Sequence, residues 1–139
     1  DGECTTYSVA MCLSLCSVAL LTPSYMARAA ADPGIRIEPA WKVSIVYGMP
    51  CAIYHMLPAA YYLAARFPDD FESAVLHAIN GGGQNQARAI LTGALVGAQT
   101  GLVGIPRRFL DGLEEPATLV SLASRLAAQA DSGAGKSPE

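Results

Sequence analysis

The sequence predicts an all-α fold, a compact helical bundle, and three observations carry that expectation. Alanine supplies 24 of the 139 residues while strand formers are sparse. Hydrophobic residues make up 52% of the chain and charged residues only 15%, which excludes a chain that is itself a disordered tail. Apolar positions recur at helical spacing between proline, glycine and capping residues. The length suits one domain, placed at residues 1–130, with a polar tail over 131–139 expected to be disordered. A net charge of −3 and a pI near 5.3 give no global positive field, so nucleic acid and anionic membranes are not expected partners.

The first helix is expected from Thr6 to Leu21, stopped by Thr22-Pro23, with Ser24 capping a short second helix through Ala31. Asp32-Pro33-Gly34 forces a turn, and Ile35 to Trp41, broken by Pro39, reads as loop. From Lys42 to Phe67 the period is helical but interrupted at Pro50 and Pro58, which predicts two short helices or one kinked helix. Asp69 is placed to cap the next helix, with Glu72 completing a capping box and Phe71, Ala74, Val75 and Ala78 as the buried stripe. A small-residue helix follows from about Asn85 to Gly104. Pro106 starts a short helix ending at Gly112, and Pro116 starts a last helix carrying Leu119, Leu122, Leu126 and Ala130 on one side.

Cys4, Cys12, Cys16 and Cys51 lack the paired spacing of zinc sites and read as packed thiols, which points to a reducing, cytoplasmic location. Val9 to Leu21 is too short to cross a bilayer. Ala89 to Pro106 carries Gly93, Gly97 and Gly101 at the spacing of a membrane helix face, but Thr92, Gln99 and Thr100 favour close helix packing within a protein core, so no membrane association is expected. The acidic start shows no cleavable signal, and the absence of an initial methionine suggests a fragment or processed piece. His77, off the buried stripe, is expected to be exposed, and His55 to be half-buried and satisfied. No catalytic triad, zinc helix or P-loop can be assembled.

The most informative stretch is Gly81-Gly82-Gly83-Gln84-Asn85-Gln86. Glycines leading into a helix leave backbone N–H groups uncovered at the positive end of the helix dipole, a setting that suits an anion. Arg88 lies three residues beyond Asn85, on the same face one turn in, where its guanidinium can meet the anion. The candidate ligand-binding residues are therefore Gly82, Gly83, Gln84, Asn85, Gln86 and Arg88. The bland alternative is a tight turn with Asn85 as the helix cap and Arg88 solvated. No metal site and no catalytic residue can be assigned from the residues alone.

The segment from Phe71 to Leu113 resembles the C-terminal part of the ADP-ribosylglycohydrolase family. The match lies in the order of Phe71-Glu72, the Gly82-Gly83 turn, Gly93-Ala94 with Gly97-Ala98, and Gly101 through Ile105-Pro106. The resemblance implies a helical fold, an ADP-ribose-like ligand and hydrolysis of ADP-ribosyl linkages. In metal-dependent members a D-x-D-T motif at this turn helps to bind two magnesium ions, and its positions fall here on Gln84, Gln86 and Ala87. Neutral amides hold a hard dication poorly, so magnesium is not expected as a cofactor. The family's acidic N-terminal T-D-D motif has no counterpart, since Asp69-Asp70 reads as a cap. Gly82 through Ala89 instead resembles the G-G-x-N-x-x-R-A turn of the J-crystallin and selenoprotein J branch, where the fold persists with altered metal carboxylates.

Two functions follow as expectations. In one, the chain is the C-terminal portion of an ADP-ribosylglycohydrolase-like protein that binds a small anion such as ADP-ribose at the Gly81–Arg88 turn, the missing aspartates arguing against metal-dependent hydrolysis. Hydrolysis would need a group to activate water, and Glu3, Asp111, Glu114 and Glu115 qualify by residue type only. In the other, it is a non-catalytic, crystallin-like structural protein that self-associates, or pairs with a missing N-terminal half, through its apolar faces.

Overall fold

The structure, a computed structural model, describes residues 21–47 and 49–133, and the helix expected over 6–21 falls almost wholly outside them, as do Glu3, Cys4, Cys12 and Cys16. The described residues are helical with no strand, so the expected all-α class holds. Contacts divide the chain into two compact units, Asp1–Ile105 and Pro106–Glu139. No helix of the described residues is long and apolar enough to cross a membrane.

In the first unit, α1 spans Pro23–Ala31. Its cap is Thr22 rather than Ser24: the Thr22 hydroxyl accepts from the Tyr25 amide at 3.4 Å, and Pro23 takes the first helical position, where its missing N–H costs nothing. The loop ends in a 3-10 turn at Ala40–Lys42, followed directly by α2, Val43–Tyr47. The break at Pro50 then separates α2 from α3, Ile53–Arg66, so the first of the two expected alternatives, separate helices, is the one that forms. Pro58 stays inside α3 and is buried, forfeiting only the bond its nitrogen would make to the Tyr54 carbonyl.

α3 is the centre of this unit and packs against α1, α2, α4 (Phe71–Asn80) and α5 (Asn85–Thr100). Met26, Val43, Ala59, Tyr62, Leu63 and Ala78 form the main cluster, and Ala64, Ala74 and Val96 a second. The Tyr62 ring is fully buried, and its hydroxyl accepts from the Ile37 amide at 2.7 Å, tying the loop before α2 to the core. Glu38 pins the same loop to α3 by accepting from Arg66 at 2.7 Å, and forms an ion pair with Arg36 of the loop itself at 3.0 Å.

α4 starts one residue later than expected, with Asp70 as cap in place of Asp69. Asp70 accepts from both the amide and the hydroxyl of Ser73, at 2.9 and 2.6 Å, which fixes the helix start one residue beyond Asp69. Ala74, Val75 and Ala78 form its buried face as expected, while Phe71, expected in the same stripe, is only half-buried. His77 is not exposed: the Phe67 ring stacks on it at 5.0 Å and 7°, because the α3–α4 connection folds back over α4. His55 is half-buried and donates through Nδ1 to the Tyr47 carbonyl. Gly93 and Gly97 face Phe71, with Val75 also beside Gly93, which puts these two glycines of the stripe inside the helix packing, while Gly101 faces open space. α5 ends at Thr100, earlier than Gly104, because Gly101 adopts φ 66° and a 3-10 turn takes over at Leu102–Gly104.

The second unit holds α6, Arg107–Asp111, and α7, Pro116–Gly133. Pro106 caps α6 rather than entering its first turn, and Arg107 pairs with Asp111 at 3.3 Å. α7 runs through Asp131, where the polar tail was expected to begin, and positions 134–139 lie outside the described residues.

Candidate functional site

The α4–α5 connection is built on three glycines with three different duties. Gly81 closes α4 with ordinary backbone angles, but a Cβ there would lie 2.2 Å from the Ser44 hydroxyl and 2.9 Å from Arg88 Nη2. Gly82 and Gly83 adopt φ of 69° and 59°, the left-handed region where glycine carries no steric penalty. At Gly83 a Cβ would meet Met49 Cβ at 2.3 Å and the Met49 carbonyl at 2.6 Å. The Gln84 amide donates to that same carbonyl at 3.0 Å, so the α2–α3 connection braces one side of the turn.

Gln84, not Asn85, is the N-cap of α5, and its side chain makes no capping bond. The first helical bond runs from the Arg88 amide to the Gln84 carbonyl at 3.3 Å, which leaves the amides of Gln86 and Ala87 ahead of it in the opening turn. Gln84 and Gln86 are exposed and Asn85 is half-buried. Asn85 and Gln86 line, with Ile79, Ala89 and Ile90, a depression of about 440 Å³ next to the turn. Three apolar side chains and two carboxamides meet there, a composition common in small-molecule sites.

Arg88 lies neither in solvent nor at the face of the turn. Its side chain is fully buried and reaches back under the glycines, donating through Nε to the Ala78 carbonyl at 3.1 Å and through Nη2 to the Gly82 carbonyl. This corrects the expectation of a direct guanidinium–anion contact: the last carbonyls of α4 and the turn claim the donors first. Nη1 and the Ser44 hydroxyl are enclosed without a hydrogen-bond partner among the described residues. Burial lowers the Arg88 pKa from its usual value, yet a guanidinium starts high enough to stay charged. Among the described residues no carboxylate pairs with it, so one full positive charge lies beneath the turn, added to the positive end of α5.

The fit to magnesium is poor. Positions 84, 86 and 87 supply two amides and a methyl group, the Gly82 carbonyl is already an acceptor, and a cation sits behind it. No group of three or more His, Cys, Asp or Glu side chains among the described residues could hold a metal. Of the acidic residues singled out by type, Asp111, Glu114 and Glu115 belong to the second unit, where Asp111 is paired to Arg107, and Glu3 lies outside the described residues. Cys51, just before α3, is a free exposed thiol and not the packed one expected from the sequence.

Ser44, Met49 and the Ala78 carbonyl are the parts of the site that sequence reasoning missed. The first two come from elements more than thirty positions upstream with no motif of their own, and the third is a backbone atom common to every residue.

Neither the curated proteins nor the solved structures return a match to the chain. The family model for ADP-ribosylglycohydrolase matches residues 9–135, well over half of the sequence. With its helical architecture and glycine turn in keeping with that match, the chain belongs to the ADP-ribosylglycohydrolase family.

Proposed function

We propose that this chain binds a small anionic, ADP-ribose-like ligand at the Gly81–Arg88 turn without a metal ion and without metal-dependent hydrolysis. The observation that carries the reading is the buried Arg88 cation, which no carboxylate among the described residues neutralises. An anionic oxygen roughly 6 Å from such a charge gains about 3 kcal/mol at an effective dielectric of about 20. Arg88 therefore acts on the ligand through its field, while the Gln86 and Ala87 amides and the side chains of Gln84, Asn85 and Gln86 supply the contacts. The C-terminal part of the family fold and its J-crystallin-like branch remain the resemblance that suits these residues best, since Asn85, Arg88 and Ala89 all fit that variant.

Gln86→Glu tests this cleanly. An acid in the first turn of a helix stabilises the fold slightly but repels a diphosphate. Titration with ADP-ribose should show at least about a tenfold loss of affinity in a variant that melts no lower than the parent. Unchanged affinity would place the ligand elsewhere.

A second reading, a crystallin-like structural role through self-association, is favoured by one observation. Ile45, Val46, Met49, Ile53 and Tyr54 are each 45–64% exposed within ten residues of sequence. Sedimentation velocity of the parent and of Val46→Glu separates the two: a dimer lost in the variant, with no response to ADP-ribose in either, favours the structural role.

A further inference from the structure

We infer that Arg88 itself, over and above the missing carboxylates, bars a divalent cation from the turn. Three features fix its charge in place. The guanidinium bonds two carbonyls on separate segments, Ala78 in α4 and Gly82 in the turn. Gly81 closes over Nη2 so tightly that a Cβ would lie 2.9 Å from it, and Ser44 of α2 flanks the same spot. Its exposure is zero, so it has no route to swing into solvent without displacing Ser44 or the turn.

The Gly82 oxygen is thereby engaged as well. A hard cation taking it as a ligand would have to compete with a charge-assisted hydrogen bond to one of its lone pairs. A dication roughly 7 Å from a fixed guanidinium is repelled enough to weaken its binding on the order of a thousandfold at an effective dielectric of about 20. Carboxylates restored at 84 and 86 would spend part of their attraction on Arg88 before any ion arrives. This inference stands whether or not the turn binds an organic anion.

The test is an order-of-substitution experiment on the full chain, read by manganese electron paramagnetic resonance and magnesium calorimetry. Gln84 and Gln86 are exposed, so Q84D/Q86D should fold as the parent does. The parent and this double variant are expected to show no saturable site at low millimolar ion, while Q84D/Q86D/R88Q, which keeps an amide to bond the carbonyls, binds at least about a hundredfold more tightly. Binding by the double variant as tight as by the triple, or a triple variant no better than the double, overturns the inference. If Arg88→Gln does not fold, Arg88→Met supplies the same neutralisation. The double variant also decides by itself, since micromolar manganese binding with Arg88 in place contradicts the claim outright.

Discussion

Replacing Gly83 with alanine tests the bracing of the turn against an internal control, Gly82→Ala. Both glycines are left-handed, at φ 59° and 69°, so each substitution costs about 1 kcal/mol in backbone strain. They differ in what the new methyl meets. At Gly82 the nearest atom is Met49 Sδ at 3.8 Å, ordinary contact with the end of a flexible side chain. At Gly83 the neighbours are Met49 Cβ at 2.3 Å and the Met49 carbonyl at 2.6 Å, and the carbonyl cannot retreat without releasing its 3.0 Å bond from the Gln84 amide. Overpacking of this kind costs about 1–3 kcal/mol, and the lost bond about 1 kcal/mol. Gly83→Ala should therefore lose about 3–5 kcal/mol, a fall in Tm on the order of 10 °C, against about 1 kcal/mol for Gly82→Ala. Urea titration followed by circular dichroism measures both, with an unchanged slope confirming that only stability moved. Equal losses in the two variants would refute the packing of Met49 on the turn.

Tyr62→Phe leaves the Ile37 amide without its acceptor inside the protein and should cost about 1–3 kcal/mol, measured by the same melts; a loss below about 0.5 kcal/mol would mean that the hydroxyl holds nothing. Asp70→Ala removes the α4 cap and should cost about 1 kcal/mol at neutral pH. The Asp70 carboxyl is held below its ordinary range chiefly by the hydrogen bonds from Ser73, so the folded state binds fewer protons there than the unfolded chain. Its stabilisation is complete above the unfolded aspartate value of about 4 and lost as pH falls through the lower folded one. The stability deficit of Asp70→Ala should thus shrink below about pH 4, and a deficit constant down to pH 2 would contradict the assignment.

The sequence carried most of the fold because its punctuation is strong. Pro50, the Asp69-Asp70 pair, the triglycine run and Pro116 each bound a helix that forms, since the local chemistry of proline, capping carboxylates and glycine acts within a few residues. The errors are of register or of reach. Thr22 displaced Ser24 and Asp70 displaced Asp69 because neighbouring cap residues are chemically alike and only the bonding geometry chooses between them. His77 was misplaced because Phe67, ten positions earlier, covers it. At the candidate site, the position of the turn was legible and the direction of Arg88 was not. A helix pattern puts Arg88 on a face near Asn85, but the carbonyls of Ala78 and Gly82 that turn it inward are made available only by the packing of α4 on α5.

Isothermal titration of the parent chain with ADP-ribose, once in EDTA and once in millimolar magnesium, tests most directly the claim that a cation built into the polypeptide serves this turn. The account predicts saturable binding with the same affinity in both buffers, because the charge that attracts the ligand is the guanidinium of Arg88. Binding that appears only with magnesium, or none in either buffer, would contradict it.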